Sequence, residues 1–338
     1  MLECMKAKDC IPHATLWHYT HPSWFEDLGG FERRENAAYF IEYARVLFLR
    51  FRRHVQLWTT FNEPIVALLG GYGMGIVPPG KPLRIARIGQ VYANMLEAHD
   101  LCYRELKALP GGATARVGFV HNYATFVPLK DGLLYLGARV FSRFATNMWA
   151  NQGLIDFFRT GVFEWHSGIP GTGTRRDLGR RPGLDFIGVN FYSRGVLGMF
   201  LQPTCFPGEE MTEMPYAMWP RGMYECLKHL ADAGVPLLVS ENGISDSKDA
   251  VRGAWIDGYL AEVERAIEDG IDVRGYLYWT LTDNFEWQFG FNMRFGLFEW
   301  VPETGERVLR EGSKRLLPWF AKLRRVRVGR KYGGGARG

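Results

Sequence analysis

The sequence predicts an α/β fold of the TIM type, a (β/α)8-like barrel of parallel strands, and three observations carry that prediction. Six short runs are apolar at nearly every position, as strands buried on both faces must be. Helix-like stretches lie between them, which places helices over a parallel sheet. Polar residues gather at the carboxyl ends of the runs, at His18, Asn62-Glu63, Asn122, Asn190, Glu241 and Trp279, where barrels of this class place their chemistry. A flavodoxin-like open sheet is the rival, but carboxylates that end several separate strands favour the barrel. The count is about six β/α units, where a closed barrel has eight.

Taken in order, residues 12–18 read as the first strand, and 36–51 place rings and aliphatics at helical spacing. The second strand is 55–61, followed by a Gly/Pro-rich loop and a helix over 88–109. Pro110-Gly111-Gly112 leads into the third, 115–120. Residues 184–190, 235–240 and 274–279 are the fourth, fifth and sixth, with helices near 220–233 and 254–269. Neither a repeat nor a linker divides the chain. One domain over 1–323 is expected, followed by a basic, Gly-rich tail over 324–338.

Composition narrows the function. Of 338 residues, 47% are hydrophobic and 23% charged, which excludes a disordered or collagen-like chain. The net charge of +5 resides in the tail, whose six basic residues leave 35 basic against 36 acidic elsewhere. A solvated tail is therefore expected rather than a nucleic-acid surface, although RNA contact by the tail is a distinct alternative. No run of eighteen apolar residues is present, and the start lacks the apolar stretch of a secretory signal. A cytoplasmic protein without membrane attachment is the expectation. The five cysteines are odd in number and widely spaced, suggesting neither a disulfide frame nor a zinc site.

Two glutamates stand out. Glu63, in Thr60-Phe61-Asn62-Glu63-Pro64, ends the second strand, and Pro64 forces a turn. Glu241, in Ser240-Glu241-Asn242-Gly243, ends the fifth, with Gly243 permitting a tight exit. Two carboxylates in a barrel mouth suit glycoside hydrolysis, one as acid/base and the other as nucleophile or water activator. Position alone also allows two glutamates in solvated loops. The stretch 279–300 shifts the balance, because it crowds Trp279, Phe285, Trp287, Phe289, Phe291, Phe295 and Trp300 among Asp283, Asn284, Glu286 and Arg294. Rings beside donors and acceptors match a sugar, whose C–H face stacks while its hydroxyls bond. No Gly-x-Ser-x-Gly elbow is present, and Pro78-Pro79 after the glycine-rich Gly71–Gly75 removes a phosphate cradle. His18 and His21 lack neighbouring carboxylates to make a metal site.

With these strings in hand, the chain resembles glycoside hydrolase family 1, the retaining β-glucosidases and β-galactosidases, over residues 1–323. The resemblance rests on Leu16-Trp17-His18-Tyr19, Thr60–Pro64, Gly188–Tyr192, Ser240–Gly243, Trp279–Trp287 and Arg294–Leu297, six strings in the right order. It implies that Glu241 is the nucleophile and Glu63 the acid/base, with the carboxyl groups about 5–5.5 Å apart. It implies that Asn62 contacts the sugar 2-hydroxyl and that Tyr192 holds the nucleophile. His18, Glu286 and Trp287 would bind other hydroxyls, Trp279 would be the stacking platform, and Phe295 falls in the same binding set. No metal, nucleotide or organic cofactor is implied. Glu286 argues for unphosphorylated sugars.

Relative to the family pattern, the two N-terminal β/α units are missing. Those units normally bring a glutamine to the sugar and an arginine beside the nucleophile. Without that arginine, Glu241 is expected to have a raised pKa. Two unpaired edges favour a homo-oligomer that covers them. The alternative to a working glycosidase is an impaired remnant that binds carbohydrate without turnover.

Overall fold

The computed structural model describes residues 1–329, with side chains through residue 322. Six parallel strands form the central sheet: β1 (His13–His18), β2 (Leu57–Asn62), β3 (Arg116–Asn122), β4 (Phe186–Asn190), β5 (Leu237–Asn242) and β6 (Val273–Tyr278). Their spatial order is their chain order. Every neighbouring pair is parallel, so each connection crosses one face of the sheet. Six helices make these crossings or pack beside them: α1 (Ala37–Phe51), α2 (Ile85–Ala108), α3 (Leu136–Met148), α4 (Asn151–Thr160), α5 (Arg221–Leu230) and α6 (Arg252–Glu268).

The sequence explains these elements locally. All five residues of β4 are buried, as the uninterrupted apolar run requires. On α1, Ala37, Phe40, Ala44 and Phe48 recur at helical spacing and form its buried stripe. Phe40 stacks on Phe61 of β2 at 4.5 Å between centroids, and Phe48 packs on Trp58 at 5.3 Å. Trp58 and Phe61 thus fix α1 on the sheet, and the strand is irregular between Thr59 and Asn62.

Between β3 and β4 the structure adds elements beyond those expected, namely α3, α4 and a hairpin of Val162–Trp165 with Thr174–Asp177. A final helix, α7 (Leu316–Gly329), extends past residue 324, where the tail was expected to begin. The remainder of that expected tail, 330–338, lies outside the described residues.

No hydrogen-bonded ladder joins β1 to β6 among the described residues. Their carboxyl ends nevertheless meet through rings: His18 lies 5.9 Å from Trp287 and 6.1 Å from Trp279, and Tyr19 lies 4.8 Å from Trp287. A cavity of about 320 Å³ opens between the edges, lined by His13 and Thr15 on one side and Leu277 and Tyr278 on the other. Leu277, on that lining, is 44% exposed.

Candidate active site

Glu63 follows the last residue of β2 and takes a left-handed conformation, φ 45° and ψ 51°. Pro64 then occupies the first turn of a short helix, Pro64–Leu68, where its lack of an N–H costs nothing. The left-handed turn directs the carboxyl group inward, and Glu63 is buried. Its Oε1 accepts from the Nδ2 of Asn122 and of Asn190, both at 2.8 Å. The Asn122 amide is not free to flip, because the Trp149 indole, which can only donate, donates to its Oδ1 at 2.8 Å; the Ser240 hydroxyl donates to Asn190 Oδ1 at 2.7 Å. The Tyr19 hydroxyl donates to the other oxygen, Oε2.

Glu241 lies inside β5 and is also buried. The Tyr192 hydroxyl donates to its Oε2 at 2.8 Å. Gly243 serves the site differently from the sequence reading. Its φ is not positive, so no unusual backbone conformation demands glycine there. A Cβ would instead stand 1.9 Å from the carbonyl oxygen of Trp279, so glycine lets the β5 exit pass close to the β6 exit. Arg252, wholly buried, ties the same exits together by donating to the Ile244 and Phe295 carbonyls at 3.1 and 3.0 Å and to the Tyr278 hydroxyl at 2.7 Å.

Glu63 and Glu241 interact electrostatically, and burial raises the pKa of both. The push is stronger on Glu241, where the charges of Glu63 and Glu286 add to desolvation and only neutral donors oppose it. Among the described residues, no arginine or lysine pairs with either glutamate, in line with the raised pKa expected for Glu241. Burial also raises Glu286, which accepts from Asn284 Nδ2 at 3.4 Å. Burial lowers the His18 pKa, leaving a neutral imidazole at pH 7. Its Nε2 sits 3.1 Å from Asn62 Nδ2, and Asn62 Oδ1 accepts from Asn190 at 3.1 Å.

The structure therefore brings His18, Asn62, Glu63, Tyr192, Glu241, Trp279, Glu286 and Trp287 to one end of the sheet. His18, Asn62, Glu241 and Trp279 line the cavity itself. Phe295 is placed otherwise: it is 2% exposed and stands edge-on to Tyr192 at 6.4 Å, behind that tyrosine rather than on a stacking surface. Among the residues the sequence reading left out of the site are Asn122, Asn190 and Tyr19. Position at a strand's carboxyl end marks the two asparagines; nothing in the string around Tyr19 shows that its hydroxyl reaches Glu63.

This geometry has counterparts among known proteins. The model of the family described as "Glycosyl hydrolase family 1" matches residues 1–161 and 201–326. The chain belongs to glycosyl hydrolase family 1. A β-galactosidase from Pyrococcus woesei is 31% identical, the match covering 93% of this chain and 69% of that one. β-Glucosidase A from Acetivibrio thermocellus is 30% identical, with 90% and 72% covered. The solved β-glycosidase from Pyrococcus horikoshii superposes with a TM-score of 0.79 at 31% identity, over 92% of this chain and 71% of that one. The six-stranded parallel sheet is thus that of family 1 barrels, and the chain spans about seven tenths of these relatives' length. Among the described residues of this family 1 chain, no helix is long and apolar enough to cross a membrane.

Proposed function

We propose that this family 1 chain is a retaining β-glycosidase that hydrolyses unphosphorylated β-glucosides or β-galactosides through a covalent glycosyl-enzyme. The observation that carries the reading is the pair of buried glutamates, each ending a different strand and each held by neutral donors. Glu241 attacks the anomeric carbon through the oxygen that Tyr192 leaves free, while Glu63 protonates the departing glycosidic oxygen. Once Glu241 is esterified its charge is gone, the pKa of Glu63 falls, and Glu63 takes a proton from the incoming water. Asn62 Nδ2 has a second N–H beyond the one facing His18, free for the sugar 2-hydroxyl, a bond that tightens in the transition state. Trp279, on the cavity wall, supplies a face for the sugar's C–H groups.

The strong upward push on Glu241 favours a second reading, carbohydrate binding without turnover, because the nucleophile must be ionised. Release of p-nitrophenol from p-nitrophenyl β-D-glucoside and β-D-galactoside, compared with Glu241→Gln, separates the two. Turnover well above that variant, with the β-anomer formed first by NMR, supports the glycosidase. Binding of the sugar by a folded chain with no turnover above the variant overturns it in favour of the second reading.

A further inference from the structure

Tyr19 is the first residue past β1, and its φ of 68° is rare for an aromatic side chain. That turn folds the ring back over the strand ends, edge-on to His18 at 5.2 Å and tilted against Trp287 at 4.8 Å. Its hydroxyl thereby meets a carboxyl group 44 residues away in the chain, as a donor to Glu63 Oε2.

The other oxygen decides what this contact means. Oε1 of Glu63 accepts from the amide groups of Asn122 and Asn190, and that of Asn122 is locked as a donor by Trp149. A proton on Oε1 would face the fixed N–H of Asn122, so the proton of neutral Glu63 resides on Oε2. Tyr19 therefore touches the oxygen that gives up the proton and later takes one from water. With one direction at Oε2 taken by Tyr19, the O–H is confined to the remaining one.

We propose that Tyr19 is a positioning residue for Glu63, donating to Oε2 so that the carboxyl group is aimed and its ionised form stabilised for the hydrolytic half-reaction. The inference rests on the glycosidase reading. Groups facing Glu63 from the surrounding elements are Glu241 on β5, Glu286 after β6, His18 on β1, and Tyr192 and Tyr216 from the connection between β4 and β5. The two other glutamates disfavour its ionisation, His18 is neutral, and the tyrosines remain protonated because burial raises them. Tyr19 likewise keeps its proton, raised by burial and then by the charge of Glu63, and is a donor throughout the working pH range. It opposes the desolvation that keeps Glu63 neutral.

Tyr19→Phe keeps the ring and removes the donor. Carboxyl-13C NMR of the chain labelled at glutamate Cδ, with Glu63→Gln assigning the resonance, follows Glu63 directly whether or not the chain turns over. The expected result is a proton affinity about tenfold higher in Tyr19→Phe, the lower end for losing a hydrogen bond to a charged acceptor. 3-Fluorotyrosine at position 19, a stronger donor in the same fold, is expected to shift the titration the opposite way. An unchanged Glu63 titration in both overturns the proposal. Where the wild-type chain hydrolyses aryl glucosides, the basic limb of kcat/KM moves to higher pH in Tyr19→Phe, because Glu63 stays protonated longer. A wild-type chain without turnover counts against the glycosidase reading alone, and the NMR titration still decides the role of Tyr19.

Discussion

Replacing Glu241 by glutamine is expected to stabilise the chain at neutral pH while abolishing turnover. The substitution removes a buried charge and little else, since the glutamine carbonyl still accepts from Tyr192, whose hydroxyl lies 2.8 Å from Oε2. Glu241 is 9% exposed and Glu63 4%, so neither is screened by water. Two carboxylates at the family's spacing of about 5 Å repel by about 3 kcal/mol at an effective dielectric constant of 20. The coupled pair avoids part of this by retaining a proton, which leaves about 1–3 kcal/mol to be gained. With about 2.1 cal/mol/K of unfolding entropy per residue, 1 kcal/mol is worth about 1.4 °C in a chain this long. The gain is then about 1.5–4 °C in Tm. Its sign follows from linkage: the folded pKa lies above the unfolded one, so the wild type loses stability as pH rises from the unfolded value through the raised one. The variant has no such loss at position 241 and keeps only that of Glu63. Differential scanning calorimetry of both proteins between pH 4.5 and pH 8 is the assay, with the difference vanishing at the acidic end. A variant no more stable than wild type at pH 8, or a gap independent of pH, refutes the reasoning.

Two further outcomes follow from the same geometry. Tyr192→Phe removes the donor to ionised Glu241, a bond to a charged group worth about 1.5–3 kcal/mol, so kcat/KM should fall about ten- to hundredfold; the pKa of Glu241 rises, and the acidic limb of the pH–rate profile moves to higher pH. Gly243→Ala places a methyl group against the Trp279 carbonyl and should cost about 1–3 kcal/mol by overpacking, read as a lower urea midpoint with an unchanged m-value.

Much of the fold is legible because parallel strands buried on both faces advertise themselves. The expected strand over 184–190 and the observed Phe186–Asn190 agree in type and place, since no polar residue interrupts the run from Phe186 to Val189. The segment between β3 and β4 hides α3 for a physical reason. On α3 the buried stripe is made of Ala138, Ser142, Ala145 and Met148, whereas Val140 and Phe141 are exposed, so hydrophobic periodicity marks the wrong face. At the site, Glu63 and Glu241 are readable because carboxylates at strand ends have few structural uses. Tyr19 is not, because its role depends on a backbone turn and on a partner brought near only by the pairing of β1 with β2. Phe295 misleads in the opposite sense: the ring belongs to an aromatic-rich stretch, but burial assigns it to supporting Tyr192.

Among the described residues a hydroxyl rather than a cation holds Glu241, so on the glycosidase reading ionising this nucleophile in the empty site is costly. On that reading the rate scales with the fraction of molecules that carry the anion opposite a protonated Glu63. The unpaired anion has a compensating property. A fixed cation would stabilise Glu241 equally before and during attack, whereas the oxocarbenium-like transition state brings its own positive charge against the carboxylate. On the glycosidase reading electrostatic stabilisation would therefore be concentrated where the barrier lies, between buried groups. Tyr192 moderates the first effect without cancelling the second, since a neutral donor eases ionisation yet leaves the full charge to be met by the sugar. Its removal should consequently depress the ionised fraction at acidic pH and leave a smaller deficit well above the acidic limb, a pattern that simple loss of packing at Tyr192 does not produce.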